Sequence, residues 1–348
     1  MTKRNSNSVT IREVARRAGV SMATVSRFIN QTVPVSEEAA ARVQAAMAEL
    51  KFIPHAAARR LATQKTNTLG LLLTDMSGDF FGPLLTGIEN VTGEAGFDLL
   101  VSSSRQPRLH KEFPVGPHNT DGVLIFADGL SEAGLDRFYE LGFPMVLIHR
   151  SPPDGMNIPC VTVENKAASR KIVEHLIEMH GRRRIVFLSG PPKQEDSYWR
   201  ELGYRQALET YNLPFDPALI APGEFDRVVA SASLRGLLSA GVAVDAVFAG
   251  DDEAAVGVLS ALREAGKRVP EDVAVVGFDD QRLAAYLTPP LTTVRAPTEE
   301  VGRIAAQQLL RLIQTGQAES LIFLPTEILI RSSCGCKSED RYLFRPVF

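Results

Sequence analysis

The chain reads as an all-α helix-turn-helix head followed by an α/β body, and three observations predict this. The first sixty residues carry apolar positions at helical spacing behind three capping signals. From residue 68 the pattern becomes buried apolar runs alternating with helical stretches, which is the signature of doubly wound α/β architecture. Charge divides the chain at the same place. Residues 1–62 hold ten Lys or Arg against four Glu, a net +6, whereas the whole chain is −3, so the remainder carries −9.

The head, expected over 1–54, follows residue by residue. Thr10 with Glu13 three residues on is a capping box, and Ile11, Val14, Ala15 and Ala18 share one apolar face, so a first helix is expected from Ile11 to Ala18. Gly19 supplies the positive φ that ends it. Ser21 is a good N-cap for a second helix that turns Val25, Phe28 and Ile29 inward and leaves Met22, Ala23, Ser26 and Arg27 outward. Ser36, with Glu37 and Glu38 in the first turn, starts a third helix whose Val43, Met47 and Leu50 complete the core before Pro54. Two short helices around one Gly also occur in ordinary cores. The basic charge favours a phosphate-binding module on a non-DNA body.

In the body, Leu69–Thr74, Asp98–Ser102, Gly122–Phe126 and Pro144–Ile148 read as buried parallel strands. A second set comprises Arg184–Ser189, Ala246–Ala249 and Val273–Gly277, with helices near 167–179, 200–211, 228–238 and 253–265. Two doubly wound units or one continuous sheet both fit this alternation. Either binds ligands at the carboxyl ends of its strands.

Composition narrows the classes. A chain of 348 residues with 45% hydrophobic content can bury two or three domain cores. The N-terminus is polar and basic, unlike a secretion signal, and no apolar run reaches the ~18 residues of a membrane span, so a cytoplasmic protein without membrane contact is expected. Cys160 lies in an apolar run and reads as core. Cys334-Gly-Cys336 suggests a metal or redox pair, but two close thiols lack the third and fourth ligands of a zinc site, so no metal and no cofactor are expected.

Val9–Asn30, Val35-Ser36, Ala48–Pro54 and Ala58-Arg59-Arg60-Leu61 together closely resemble the lactose-repressor and galactose-repressor (LacI/GalR) family of bacterial regulators, and the resemblance continues through Cys334. It implies two lobes of periplasmic-binding-protein type over 68–336, with crossovers near 164, 294 and 325. The N-lobe would take 68–163 and 295–324, including a helix over Glu299–Gln314 with an apolar stripe at Val301, Ile304, Ala305, Gln308 and Leu312. The C-lobe would take 165–293 and 326–336. It further implies a hinge helix within 55–67 that enters the minor groove through His55, Ala58 and Leu61, Leu61 wedging between base steps. At barely two turns, that segment is too short to be a stable helix alone in water.

For DNA, Arg27 is expected to read guanine and Met22 and Ala23 to make apolar base contacts, while Ser21, Thr24, Asn30 and Ser36 position phosphates. For a small effector, a sugar or sugar derivative by resemblance, the candidates are Asp79 and Phe80 after the first strand, His149, Arg200, Asp251 and Asp279. Arg200 stands three before Gly203 in the family pattern, and its fork suits hydroxyls, carboxylate or phosphate. Asp251 is assigned to the cleft and Asp252 to the helix cap; Phe81 reads as core, and Trp199 as a sugar-stacking, core or rim residue.

Two departures from the family stand out: His149 replaces a usual Asp, and 105–120, with its prolines, predicts an irregular or truncated helix. The tail 337–348 is too short and irregular for a tetramer-forming heptad helix. The reading is a homodimeric repressor on a near-palindromic double-stranded operator, controlled allosterically by an effector in the cleft. An enzyme and a free-standing solute-binding protein are the alternatives. No nucleophile with a matched base, metal cluster or Gly-rich phosphate loop supports the first, and the basic head and the expected lack of an export signal disfavour the second.

Overall fold

The computed structural model describes residues 9–30, 33–52, 65–76, 78–103 and 114–337. The hinge candidates His55, Ala58 and Leu61, the Pro-rich stretch up to residue 113 and the tail from 338 lie outside them. The chain forms two compact units, 1–66 and 67–348.

The first unit contains α1 (Ile11–Ala18), α2 (Met22–Asn30) and α3 (Glu37–Glu49). The Thr10–Glu13 capping box closes in both directions, the Thr10 N–H donating to Glu13 Oε2 at 2.7 Å, and Gly19 ends α1 at φ 65°. Ser21 Oγ accepts from the Thr24 N–H at 3.1 Å, and Ser36 Oγ accepts from the Ala39 N–H. Val14, Ala15, Ala18, Val25, Val43 and Ala46 form the core, with Phe28, Ile29, Met47 and Leu50 packed on it. Leu50 caps α3, so the helix ends at Glu49, five residues ahead of Pro54.

The second unit begins with β1 (Thr68–Leu73), α4 (Phe81–Glu94), β2 (Asp98–Ser103), β3 (Gly122–Phe126), α5 (Glu132–Glu140), β4 (Met145–Ile148) and β5 (Cys160–Val163). It continues through α6 (Asn165–His180), β6 (Ile185–Ser189), α7 (Glu195–Thr210), β7 (Ile220–Pro222), α8 (Arg227–Ser239), β8 (Ala246–Ala249) and α9 (Asp252–Glu264). β9 (Ala274–Asp279), β10 (Thr292–Arg295), α10 (Thr298–Thr315), β11 (Leu321–Leu324) and β12 (Glu327–Leu329) complete it.

Two separate six-stranded sheets form, ordered β11-β5-β4-β3-β1-β2 and β12-β10-β9-β8-β6-β7. Every pairing is parallel except β12 on β10. Helices on both faces bury the central strands completely, which explains their unbroken apolar runs. The chain passes between sheets at Glu164, at 296–297 and at 325–326. Arg295 still pairs with Asp279 in the second sheet, so the middle passage comes slightly later than the expected 294.

Both sheets reverse strand order, at β1/β3 and at β6/β8. Crevices form at such points, outside the carboxyl ends of the strands. The loops after β1, β4 and β8, carrying Asp79 and Phe80, His149 and Asp251, and the last residue of β9, Asp279, all lie at those ends.

Candidate functional site

A cavity of about 410 Å³ draws walls from both sheets: Asp79, Phe80 and Pro83 from the β1–α4 side, Asp279 to Arg282 after β9, and the passage into α10. Behind it lies a buried polar network centred on Arg200, 3% exposed, on α7. Arg200 Nη2 donates to Asp279 Oδ1 at 3.1 Å, Nη1 to the Gly250 carbonyl at 2.6 Å and Nε to Asn165 Oδ1 at 2.9 Å. Its guanidinium carbon sits 3.7 Å from the Phe278 ring centroid, a cation–π contact. Asn165 also lines a smaller cavity of about 180 Å³ with Glu195 and Trp199. The guanidinium therefore bridges the walls of two cavities.

His149 Nδ1 lies 2.9 Å from Asp196 Oδ2, and Asn165 Nδ2 donates to Asp196 Oδ1 at 2.7 Å. Burial pushes the Asp196 carboxyl up, but His149, Arg200 and Asn165 outweigh it and hold it below the usual range. Burial raises Asp279, with Arg200 opposing. His149 and Asp279 follow or end their strands at φ 56° and 98°, conformations that non-glycine residues rarely adopt and that cluster at functional sites.

The structure thus joins His149, Arg200 and Asp279 into one network, and brings Asp79 and Phe80 to the same cavity as Asp279. The Phe80 ring centroid is 6.3 Å from that of His149 and 5.6 Å from that of Phe126. Phe81 is partly buried against the core, Trp199 sits half-exposed at the smaller cavity, and Cys160 is buried at the start of β5.

The helix cap expected of Asp252 is corrected: Asp251 provides it. Asp251 caps α9, its Oδ1 accepting from the Ala254 N–H at 2.8 Å, whereas Asp252 is fully buried and accepts from the Gln281 N–H and the Thr293 hydroxyl. A carboxylate must lie one residue ahead of the helix to reach its third N–H, and α9 starts at Asp252. Asp251 remains close to the network electrostatically: burial and then Asp279 push its carboxyl up to about 8. Asn165 and Asp196 were missed from the sequence; Asp196 stands four residues before Arg200, a spacing that places both on one helix face.

Gly203 explains why Arg200 is followed by a glycine. A Cβ there would sit 2.3 Å from the Lys166 carbonyl and 2.8 Å from the Arg170 N, so only glycine lets α7 lie against α6. Gly203→Val is expected to cost at least ~1–3 kcal/mol by overpacking. Urea denaturation would check this, and an unchanged midpoint would contradict the close approach.

In the head, Ser21, Met22, Ala23 and Arg27 are exposed, Met22 at 48%, while Thr24 and Asn30 are half-buried; Ser36 is spent on the α3 cap. Ser21 Oγ lies 2.9 Å from Thr24 Oγ1, and Asn30 Nδ2 donates to Ser26 Oγ at 3.2 Å. The outward face of α2 therefore presents a cation, Arg27, beside the apolar Met22 and Ala23.

The expected lack of further ligands for Cys334 and Cys336 is corrected. His175 and His180 of α6 approach both thiols, the four ligand atoms lying within 4.8 Å of one another. Burial, then His180, lowers the His175 pKa to about 4, so its ring is neutral near pH 7. Among the described residues, no helix is long and apolar enough to cross a membrane.

Comparison with known proteins agrees with this layout. Residues 10–55 match the model for bacterial regulatory proteins of the lacI family, and 173–334 that for a periplasmic binding protein-like domain. The HTH-type transcriptional regulator CelR of Thermobifida fusca is 34% identical over 93% of this chain and 98% of its own. The ribose operon repressor of Escherichia coli K12 is 33% identical over 87% and 93%. Among solved structures, a lac repressor dimer bound to operator and the anti-inducer ONPF superposes with TM-score 0.79 at 25% identity, covering 94% of this chain and 99% of that one. A CelR–cellobiose complex gives 0.69 at 30%, covering 93% and 99%.

Proposed function

Because the chain belongs to the lacI family of bacterial regulatory proteins, we propose that it is a repressor that binds a near-palindromic operator as a homodimer and is controlled by a sugar or sugar derivative in the cleft. Transcription regulation through a DNA-binding head is the family's activity, and the protein is not an enzyme. The observation that carries the ligand class is the cavity of about 410 Å³ with Asp79, Phe80 and Asp279 in its walls. Carboxylates accept from hydroxyls, and an aromatic face covers the apolar side of a sugar ring. Arg200 and His149 hold Asp279 and Phe80 from behind, so ligand hydroxyls that compete for Asp279 would rearrange a network reaching from one sheet to the other.

Two relatives support a saccharide: a CelR regulator in complex with cellobiose and the repressor of a ribose operon. The lac repressor dimer on its operator supports the assembly; operator binding in turn implies a cytoplasmic location, and the sequence resemblance alone supports a hinge in which Leu61, beside His55 and Ala58, wedges into the minor groove. A thermal-shift screen over sugars, sugar phosphates and nucleobases tests the ligand class: a native-state ligand raises the melting temperature in proportion to the logarithm of its concentration. A response confined to nucleobases would overturn the saccharide reading.

For DNA, the exposed Arg27 reads guanine while Met22 and Ala23 meet the half-site edge, with Ser21, Thr24, Asn30 and Ser36 against the backbone. Arg27→Ala is expected to cost about 1–3 kcal/mol in operator binding and to relax preference at one base pair. Binding-site selection on randomised duplexes checks this, and a variant that selects the wild-type sequence would exclude the contact.

A further inference from the structure

We propose that His175, His180, Cys334 and Cys336 form a closed, four-coordinate site for a zinc-class divalent cation that fastens the chain after β12 to the end of α6. Cys334 Sγ is 3.4 Å from His175 Nε2, while Cys336 Sγ is 3.6 Å from His175 Nε2 and 3.4 Å from His180 Nε2. With Zn–S near 2.3 Å and Zn–N near 2.0–2.1 Å, the sulfur-to-nitrogen edge of a tetrahedron is about 3.6 Å. Three of the six ligand-to-ligand distances thus already match tetrahedral edges, and the others lie within 4.8 Å. The rings cross at 80° with centroids 5.0 Å apart, so they approach the shared centre from different directions.

The local chain is shaped for this. His175 and His180 are separated by four residues, within the spacing of histidine pairs in zinc sites, and His180 is the last residue of α6. Gly335, at φ 114°, turns the backbone between the two thiols, and a Cβ there would lie 3.0 Å from His180 Nδ1. The Thr292 hydroxyl accepts from the Arg331 N–H at 2.9 Å, which leaves its proton to donate to Cys334 Sγ at 3.1 Å. Such an outer hydrogen bond orients and stabilises a metal-bound thiolate.

Charge also balances. The two thiols would release their protons to solvent on binding, so a divalent ion, two thiolates and two neutral imidazoles sum to zero, which suits the burial of Cys334, Cys336 and His175. The half-exposed His180 offers the way in. With four protein ligands no position is left for substrate, so the role is structural. The site lies at the opposite end of α6 from Asn165, about 22 Å along the helix, and is separate from the effector network.

The test is a titration of the full-length chain, stripped with chelator and kept reduced, with Co²⁺ and then Zn²⁺. Saturation at one equivalent is expected, with the intense ligand-field absorption of tetrahedral cobalt and thiolate-to-cobalt charge transfer, both bleached by Zn²⁺. Zinc should raise the melting temperature of the same sample. Cys336→Ser combined with His180→Ala, at the accessible side, should weaken zinc affinity more than 100-fold. A weak octahedral cobalt spectrum, no absorption at stoichiometric metal, or wild-type zinc affinity in the double variant would each overturn the site. Because the thiols are reduced beforehand, failure to bind cannot be assigned to a Cys334–Cys336 disulfide, and the wild-type spectrum decides the matter even if the variant does not fold.

Discussion

Arg200→Ala is expected to abolish the effector response and to lower the unfolding free energy of the α/β body by about 3–5 kcal/mol, the range for breaking a buried ion pair from one side. The change leaves the Asp279 carboxylate without its cation, the Gly250 carbonyl without a donor and Asn165 Oδ1 without Arg200 Nε. Arg200→Lys should retain more stability because the charge survives, yet stay defective toward effector because one ammonium cannot hold three diverging acceptors. Asp279→Ala should share the loss of response, since Asp279 lines the cavity proposed for the effector. Operator binding by unliganded variants, assayed well below the melting midpoint, should be largely retained because α2, with the proposed base-reading residues, belongs to the other compact unit. Urea denaturation and effector calorimetry check both parts. Wild-type ligand affinity in Arg200→Ala and Asp279→Ala would move the effector site elsewhere.

The head was legible because its instructions are local. Thr10 with Glu13, Ser21 and Ser36 each sit within one turn of the N–H groups they cap, and Val14, Val25 and Val43 meet through three short helices. In the body, long buried runs such as Leu69–Leu73 and Val273–Phe278 announced central strands. The five strands that escaped are short or lie toward the edges: β7 and β12 span three residues each, β5 and β10 four, and β11 alternates exposed with half-buried residues. A few residues without sustained periodicity cannot be told from loop.

The site was harder for a related reason. The identity of the strand-end residues was readable, but the roles of Asp251 and Asp252 depend on which residue opens α9, a question of one position. The link of His149 to Asp196 and of Asn165 to Arg200 crosses between loops and helices distant in sequence. The four metal-type ligands are divided between α6 and a turn more than 150 residues later, so Cys334 and Cys336 looked incomplete until folding brought His175 and His180 to them.

Asp251→Asn is expected to reverse part of the protein's loss of stability between pH 4 and 8. In the folded state burial, and after it the neighbouring Asp279, push the Asp251 carboxyl from 3.8 to about 8, with the Ala254 N–H and Arg200 acting the other way and Glu253 adding to the rise. Between these values the folded chain binds a proton that the unfolded chain has released. Stability therefore falls as pH rises through this window, by at most about 1.4 kcal/mol per pH unit from this group. Below 3.8 both states are protonated, above about 8 both are ionised, and the contribution no longer changes. Asparagine keeps an oxygen for the Ala254 N–H, so the start of α9 survives while the titration is removed. Relative to wild type, the variant should be of similar stability near pH 4 and increasingly more stable toward pH 8. Denaturation midpoints across the range would show it, and parallel curves for the two proteins would mean that the Asp251 carboxyl titrates in its ordinary range.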